Sequence, residues 1–345
     1  MDTAPSRWHF LINPAAGRGK ARHRWLQLLP QLQAALPGMT WAESTTRTGL
    51  AALAEAAVRN GLFRLVGVGG DGTHHHIVNG IIAAKGLGRV IYAPLPLGSG
   101  NDWVRTLKTP RRLEDWLTML AREKTMAHGV GVLEYGEREM LTEKKPLPRP
   151  LSLRGFSVRL FEPTPRSEGE GRHGRRDSHY CTRYFLNVAG MAYDAVVLRR
   201  AEQSPVKHRF LYPLFTLLFL RDFTAPTVRI SYDGQEWEGP VHTINLGIGR
   251  YSGGGMQLVP QAEPRAKTLA LTFAERLPLW RIIAESWRFY AGSIGKVKGV
   301  TLTTTTSVHI TALKDRLELE ADGEWLGYGS VEARLLEKKL CVIIT

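Results

Sequence analysis

An aspartate lies in the middle of a glycine-rich turn, Gly69-Gly70-Asp71-Gly72-Thr73. Residues 62–68 before it form an apolar run typical of a buried parallel strand, and Ile and Val recur at helical spacing over residues 77–82. The glycines therefore lie on a strand-to-helix turn, where backbone N–H groups and the positive end of the helix dipole can hold a phosphate. Because Asp71 would repel a bare phosphate, we interpret it as a partner for phosphate-bound Mg²⁺ or for a hydroxyl that must lose a proton.

Two commoner glycine motifs do not fit this turn. A Walker motif needs Lys and then Ser or Thr after its last glycine, whereas Thr73 follows Gly72. The dinucleotide fingerprint G-x-G-x-x-G matches from Gly67 onward, but it also has an acidic residue about 20 positions later. Between residues 80 and 102 there is no Asp or Glu. Hydride transfer is therefore not indicated.

Two further turns follow predicted strands in the N-terminal part of the chain. Residues 8–12 and 90–93 have the composition of strands, and the turns at residues 13–20 and 96–102 come directly after them. Strands that alternate with helices predict a three-layer α/β domain, with a parallel sheet between two helical layers. Ligands of such sheets bind at the carboxyl ends of the strands, so we expect all three turns at one edge.

The charge balance of the 345-residue chain predicts a polyanionic partner. Its 46 Lys and Arg exceed its 32 Asp and Glu, for a formal net charge of +14. Nucleotide phosphates, nucleic acid and an anionic membrane surface would all be attracted, and charge alone does not choose among them. The arginines lack interleaved aromatic residues, so nucleic acid is not an expected partner.

Neither a membrane span nor a secreted protein is predicted. The longest apolar run, residues 210–220, is shorter than the ~20 residues that cross a bilayer. Its flanking basic residues fit either a buried helix or a segment on an anionic lipid surface. The N terminus lacks a signal-peptide pattern, and Cys181 and Cys341 are too few for a disulfide framework or thiolate metal site. We therefore expect a cytoplasmic protein.

From about residue 129 the pattern changes to short strands, so we predict domains at residues 1–128 and 129–345, the second of them β-rich. Its predicted strands are residues 184–188, 227–232, 241–246, 268–273, 300–305 and 316–319, with helices near residues 194, 217 and 283. A turn at Asp233-Gly234 is predicted between two of these strands. Residues 143–179 are rich in Pro, Gly and Arg, which predicts a poorly packed insertion that is either a solvated linker or a basic contact surface.

Taken together, these motifs resemble the diacylglycerol kinase catalytic-domain family, which includes bacterial lipid kinases and sphingosine kinases. The resemblance is carried by Asn13-Pro14 before Gly17, the turn at residues 69–73, Val78-Asn79-Gly80, the turn at residues 96–102 and Asp322-Gly323-Glu324, and residues 185–190, 193–195 and 253–256 also match in order. It implies an N-terminal α/β nucleotide-binding domain, a C-terminal β-sandwich and a site between them.

The resemblance also implies transfer of the γ-phosphoryl group of ATP to a lipid hydroxyl. The nucleotide-binding residues that it implies are Asn13, Gly17, Thr45, Gly69, Gly70, Gly72, Thr73, Ser99 and Asn101. Glu324 would be the base, Asp322 and Asp71 would hold Mg²⁺ or assist, and Asp102 would join the metal network. The implied partner is a lipid on an anionic membrane surface, contacted peripherally, and the family often forms homodimers.

Taken alone, Asp322-Gly323 is typical of a hairpin turn with Glu324 on a solvated face, and Asn101-Asp102 of a plain helix cap. The chain also departs from the family at three positions: His76 replaces Glu, Gly129 replaces Asp, and Ala266-Lys267 replaces an Asp-Gly of a structural Mg²⁺ site. On a helix the side chains of residues 74–76 diverge, so we expect surface or phosphate-facing histidines. An NAD kinase-like enzyme, or a nucleotide- or membrane-binding relative without catalysis, remains an alternative.

Overall fold

The computed structural model describes residues 7–17, 19–46, 49–136, 180–203, 220 and 222–345. The predicted insertion at residues 143–179, residues 210–219 of the apolar run and the helix near residue 217 lie outside these residues. Of the helices in the described ranges, none is long and apolar enough to cross a bilayer.

The first sheet contains β1 (His9–Ile12), β2 (Thr40–Glu43), β3 (Arg64–Gly69), β4 (Ile91–Pro96), β5 (Thr125–His128) and the late strand β19 (Leu340–Ile343). The first domain also contains α1 (Lys20–Ala35), α2 (Gly49–Arg59), α3 (Asp71–Ala83), α4 (Asp102–Thr106) and α5 (Leu113–Arg122). The spatial order of the strands is β2-β1-β3-β4-β19-β5, and only the β19–β5 pair is antiparallel.

Helices cover both faces of this sheet. Because side chains alternate along a strand, Leu11 of β1 packs with α2 and α3, whereas Phe10 packs on the other face with Trp25 of α1 and Trp116 of α5. All four side chains are fully buried. The predicted three-layer α/β domain is therefore confirmed.

The last strand of the chain completes the first sheet. Strand β19 lies between β4 and β5, and its residues Leu340, Val342 and Ile343 are fully buried. The sequence pattern did not predict this strand. The boundary at residues 128 and 129 stays a proposal, and the sheet before it includes residues from the end of the chain.

The second part of the chain is an antiparallel sheet folded over its own core. Its strands are β6 (Gly131–Gly136), β7 (Tyr180–Phe185), β8 (Val188–Ala192), β9 (Thr227–Tyr232), β10 (Gln235–Gly247), β13 (Leu269–Glu275), β14 (Val300–Thr305), β15 (Ser307–Lys314), β16 (Glu318–Ala321), β17 (Glu324–Tyr328) and β18 (Ser330–Leu335). A small hairpin of β11 (Tyr251–Ser252) and β12 (Met256–Gln257) is separate, and the helices are α6 (Tyr193–Gln203), α7 (Leu279–Glu285) and α8 (Trp287–Ala291), followed by the 3₁₀ turn Ile294–Lys296.

The long strand β10 explains the sandwich-like shape. Its first half pairs with β9, and its second half pairs with β8 and β13, so two groups of strands share it. Ile230 of β9 and Phe273 of β13 meet in the enclosed core. The expected β-sandwich-like second domain is therefore confirmed.

Two of the predicted strands have the same bounds as strands in the structure, and one predicted strand is wrong. The strands predicted at residues 227–232 and 300–305 match β9 and β14. The strand predicted at residues 184–188 is wrong, because β7 ends at Phe185 and β8 begins at Val188. In the gap, the backbone N–H groups of Leu186 and Asn187 donate to the side chain of Asp322 instead of to a neighbouring strand.

Candidate functional site

The three glycine turns pack against one another at the carboxyl edge of the first sheet. The backbone N–H groups of Leu97 and Gly98 donate to the carbonyl oxygen of Gly69 at 2.8 and 2.9 Å. A Cβ atom on Gly98 would lie 2.3 Å from Cα of Gly70, and one on Gly17, whose φ is +59°, would lie 2.7 Å from the carbonyl oxygen of Leu97. These contacts require glycine, because a side chain would push the turns apart.

Thr73 connects the central turn to the first one. Its Oγ1 accepts hydrogen bonds from Nδ2 of Asn13 at 3.1 Å and from the backbone N–H of Gly70 at 3.3 Å. Thr73 is buried in the first turn of α3, and its backbone N–H donates to the carbonyl oxygen of Gly70. The N–H groups of Asp71 and Gly72 before it are therefore the ones that a helix leaves without an internal partner. The turns thus form one concave backbone surface beside a helix N terminus, a suitable place for an anion.

The remaining predicted nucleotide-binding residues lie around this surface. Asn101 is buried, donates from Nδ2 to the carbonyl oxygen of Gly98 at 2.8 Å and has a left-handed backbone with φ 59°. Within the described ranges, its Oδ1 has no hydrogen-bond partner. Ser99 is exposed in the same turn, and Thr45 is exposed just after β2. The structure therefore brings Asn13, Thr73 and Asn101 together, whereas Ser99 and Thr45 lie at the edge of the concave surface.

Asp71 caps the neighbouring helix α4. Its two carboxylate oxygens accept the backbone N–H groups of Asp102 at 3.1 Å and Trp103 at 3.0 Å. Asn101 occupies the N-cap position of α4, as the interpretation as a helix cap predicts, but its side chain makes no capping bond and Asp71 supplies the cap instead. Burial raises the pKa of the Asp71 carboxyl, and the hydrogen bond from Trp103 counteracts part of that effect.

Asp102 reaches from the first domain to the second. Its Oδ2 accepts the backbone N–H of Gly254 at 2.7 Å, in the turn between β11 and β12. In the described part of the chain its Oδ1 is buried and accepts no hydrogen bond, with Nη1 of Arg105 4.0 Å away. Burial raises the pKa of this carboxyl, and the hydrogen bond from Gly254 lowers it. Asp102 thus has one oxygen left over for a further partner.

Asp322 is a residue of a hairpin turn, and its side chain is only 3% exposed. Asp322 and Gly323 have φ values of 50° and 81° between β16 and β17, so the predicted hairpin is confirmed. The carboxylate accepts the N–H groups of Leu186 at 2.7 Å and Asn187 at 2.9 Å, and Nδ1 of His75 at 3.0 Å. With its oxygens bound in this way, Asp322 holds α3 of the first domain against the second.

Glu324 begins β17 beside the same helix. Its side chain is 20% exposed, and its Oε1 lies 3.6 Å from Nε2 of His76. The expectation of a solvated face is therefore wrong in this position. His76 stands where the family usually has Glu, so the structure places a histidine next to the carboxylate that we predicted as a base.

His74 and His75 are not surface residues. Each is 1% exposed, because α3 packs between the first sheet and the second domain. Nδ1 of His74 is hydrogen-bonded to the hydroxyl of Tyr92 at 2.8 Å, and burial lowers the pKa of His74 to about 3. The expectation of surface histidines is therefore wrong for both residues, and His74 lines a cavity between the domains.

A cavity of about 160 Å³ lies where the two domains meet. Its lining includes all three carboxylates that we predicted for this network, Asp71, Asp102 and Asp322. From the second domain it includes residues for which we predicted no role: Leu186, Asn187, Val188, Ser252 and Gly253. For all but Ser252, the motif matches at residues 185–190 and 253–256 were the available signal. Among the described residues, no group of three or more His, Cys, Asp or Glu side chains is placed to hold a metal ion by itself.

Glu320 is a buried carboxyl that sequence reasoning missed. It is 6% exposed on β16, and its Oε2 accepts the N–H of Gly323 at 2.9 Å. Burial raises the pKa of Glu320 well above its usual value, and nearby Asp194 and Asp322 raise it further. Glu320 thus supports the turn that holds Asp322. In the sequence, glutamates alternate with apolar residues along β16, which is typical of an exposed strand face, so the burial of Glu320 was not predicted.

Comparison with known proteins agrees with this architecture. Residues 7–133 match the diacylglycerol kinase catalytic domain, and residues 187–344 match the YegS C-terminal NAD kinase beta sandwich-like domain. The chain belongs to the diacylglycerol kinase catalytic-domain family.

Individual relatives match over nearly their full length. The chain is 25% identical to Bacillus subtilis (strain 168) YtlR, whose name assigns it provisionally to the lipid kinases, over 93% of this chain and 94% of that protein. It is 23% identical to a Staphylococcus aureus (strain bovine RF122 / ET3-1) diacylglycerol kinase, over 93% and 87%. A crystal structure of a diacylglycerol kinase from Bacillus anthracis str. Sterne superposes with a TM-score of 0.64 at 19% identity, over 99% and 97% of the two chains. At that identity the structural likeness shows the shared fold.

Proposed function

We propose that this protein is an ATP-dependent lipid kinase that transfers the γ-phosphoryl group of ATP to a lipid hydroxyl in the cleft between its domains. The observation that carries the proposal is that Asp71 and Asp102, which belong to two of the packed glycine turns, line one cavity together with Asp322. Phosphoryl transfer asks a protein mainly to position the reactants and to neutralise charge, which suits backbone donors beside carboxylates.

The nucleotide lies against the concave surface of the three turns in this proposal. Backbone N–H groups at the start of α3 face its phosphates, and the helix dipole adds to the attraction. Thr73 and Asn13 keep the surface in shape through their mutual hydrogen bond. A larger residue at Gly70 or Gly98 would close the surface, because the two turns are already in contact.

The carboxylates fit a magnesium ion that arrives with the nucleotide. Proteins hold Mg²⁺ through one or two carboxylates together with substrate phosphates and water. Asp102 fits this role best, because its Oδ1 is buried and accepts no hydrogen bond within the described ranges. Both oxygens of Asp71 already bind the N terminus of α4, so its contribution is negative charge and position. When bound, Mg²⁺ would neutralise charge on the transferring phosphoryl group.

Glu324 is the residue that we assign as the general base. It would accept the proton of the lipid hydroxyl, and Nε2 of His76 lies 3.6 Å from its Oε1. Asp322 acts as a positioning residue here, because its carboxylate holds the cavity wall and α3 together. The lipid acceptor, a diacylglycerol or a sphingoid base, brings the protein to the membrane surface as a peripheral enzyme.

Transfer of labelled phosphate from ATP tests the proposal. Purified protein is incubated with labelled ATP and Mg²⁺ and with mixed micelles of diacylglycerol or of a sphingoid base, or with free NAD, and the products are separated by thin-layer chromatography. We expect label on one of the lipids. Label on NAD alone would support the NAD kinase-like alternative. ATP binding without labelled product would support a relative without catalysis.

A further inference from the structure

Two short helices of the second domain present large apolar side chains to solvent. Five of the nine exposed large hydrophobic residues in the described ranges lie on α7 and α8. They are Leu279 (39% exposed), Trp280 (67%), Ile283 (48%), Trp287 (56%) and Tyr290 (57%), and we call them the aromatic platform. Such a concentration on one surface is typical of an interaction site, whereas scattered exposed apolar residues are ordinary.

The other face of each helix anchors the platform to the protein. Ile282 of α7 packs against Tyr193 and Val197 of α6. Phe289 of α8 packs with Met256 against a cluster that includes Val259. Because these inward residues hold the helices, the outward tryptophans are displayed on a fixed surface.

Basic residues outnumber acidic ones in the segment that carries the platform, and Arg288 pairs with Glu285. Residues 276–298 contain five Lys or Arg, namely Arg276, Arg281, Arg288, Lys296 and Lys298, and one acid, Glu285. The guanidinium of Arg288 lies 4.5 Å from the ring centroid of Trp287, and that of Arg281 lies 5.7 Å from Trp280. Tryptophan and tyrosine beside arginine and lysine are the composition of segments that lie in the interface of an anionic membrane.

The platform adjoins the cavity through the hairpin of β11 and β12. Nε2 of Gln257, at one end of the hairpin, donates to the carbonyl oxygen of Tyr290 at 3.2 Å. Gly254, at its tip, donates to Asp102. Three residues of extended chain span about 10 Å, so the platform lies one hairpin away from the site. A surface bound there would hold its molecules close to the cavity.

We propose that the aromatic platform docks the protein on an anionic lipid bilayer. This inference rests on the proposed function, since a bilayer supplies the lipid acceptor. Charge complementarity selects the occupant: the cations of the same segment attract anionic headgroups while the tryptophans enter the interface. A second copy of this chain is disfavoured, because a symmetric contact would bring the same cations against each other.

Vesicle cosedimentation without nucleotide tests the docking surface. Phosphatidylcholine vesicles with and without phosphatidylserine are compared for the parent, Trp280→Ser/Trp287→Ser and Lys296→Ser/Lys298→Ser. We expect the tryptophan variant to lose about tenfold or more of its partitioning, and the lysine variant to lose binding mainly to vesicles with phosphatidylserine. Leu26→Ser on α1, a residue 53% exposed on another surface, is the matched control and should bind like the parent.

Unchanged binding of the tryptophan variant at matched thermal stability would overturn the proposal, as would an equal loss in Leu26→Ser. A parent dimer that the tryptophan substitutions convert to monomer in gel filtration would also overturn it in favour of a second copy. Phosphorylation of a water-soluble short-chain acceptor separates this inference from the proposed function, because the platform variants should keep that activity. If the parent phosphorylates no lipid while the platform still controls vesicle binding, the kinase assignment alone fails.

Discussion

Nδ1 of His75 lies 3.0 Å from Oδ2 of Asp322, and the two residues are 247 positions apart in the chain. The side chains are 1% and 3% exposed, so this contact between the domains is shielded from water. The same carboxylate holds the backbone between β7 and β8 through Leu186 and Asn187. One buried aspartate therefore fixes how α3 meets the second domain at the wall of the cavity.

Asp322→Asn should lower stability by about 1–3 kcal/mol. An amide keeps one acceptor oxygen and turns an NH₂ group toward donors, so at least one buried N–H loses its partner. Urea unfolding measures the effect. Asp233→Asn is the matched control, since Asp233-Gly234 forms the corresponding hairpin turn between β9 and β10 but is exposed. Equal losses in the two variants would contradict the interdomain role of Asp322.

Asp71→Asn should lower both phosphoryl transfer and stability. The amide cannot accept the N–H groups of both Asp102 and Trp103, so we expect a stability loss of about 1 kcal/mol from the weakened cap of α4. The loss of negative charge at the cavity should reduce transfer far more than the change in folded fraction explains. Initial rates are compared at a temperature at which both proteins are folded. Activity within about threefold of the parent would remove Asp71 from the site.

Glu324→Gln should slow lipid phosphorylation by about 10²- to 10⁴-fold while ATP still binds. Glutamine keeps the size and polarity of the side chain but is no base, and general base catalysis typically supplies that factor. Turnover in mixed micelles and ATP affinity by calorimetry measure the two quantities. Glu332→Gln, on an exposed position of β18, controls for loss of a carboxylate. Normal turnover by Glu324→Gln would move the base to Asp71.

His128 should make the fold less stable in acid. Nε1 of Trp103 donates to its Nε2 at 3.0 Å, its Nδ1 donates to the carbonyl oxygen of Gly129 at 2.6 Å, and burial lowers its pKa from 6.5 to about 4. As the pH falls from 6.5 toward 4, His128 binds a proton in the unfolded chain but stays neutral in the folded one. The free energy of unfolding therefore falls by up to ~1.4 kcal/mol per pH unit.

His128→Gln should remove this contribution. Burial raises the pKa values of Asp194 and Glu320, which favours the folded state in acid and opposes the effect of His128. Their contribution is common to parent and variant, so the difference in unfolding free energy between the two isolates His128. Parallel stability curves from pH 7 to pH 5 would show that His128 does not titrate as its burial predicts.

Lys339→Met should loosen the attachment of the loop at residues 264–266. Nζ of Lys339 donates to the carbonyl oxygens of Arg265 at 2.9 Å and Ala266 at 3.1 Å, next to the position where the family has an Asp-Gly of a structural metal site. We expect a loss of about 1–2 kcal/mol, because two hydrogen bonds from a charged donor are removed. We also expect no effect of EDTA on the parent without nucleotide, because a lysine ammonium already binds these carbonyl oxygens. The exposed Lys338→Met is the control. Destabilisation of the parent by EDTA would contradict this prediction.

The sequence by itself determined the turns and the layer order of this protein, which depend on residues close together in the chain. Glycines at the carboxyl ends of three strands identified the turns, because each turn needs its own backbone geometry whatever surrounds it. Strand-helix alternation predicted the layers of the first domain, and the hairpin residues Asp233-Gly234 and Asp322-Gly323 formed turns in the structure. These features depend on a few consecutive residues, so the sequence shows them directly.

The tertiary structure determined the hydrogen-bond partner of each buried polar group. Nothing near Asp71 in the chain shows that it caps α4, and nothing near His75 shows that it meets Asp322. The return of β19 to the first sheet was also hidden, because a short apolar run does not show which strands it pairs with. Burial and hydrogen-bond partners are set by contacts between residues that are far apart in the chain. The energies of these contacts depend on distances in space, which the spacing of residues along the sequence does not reveal.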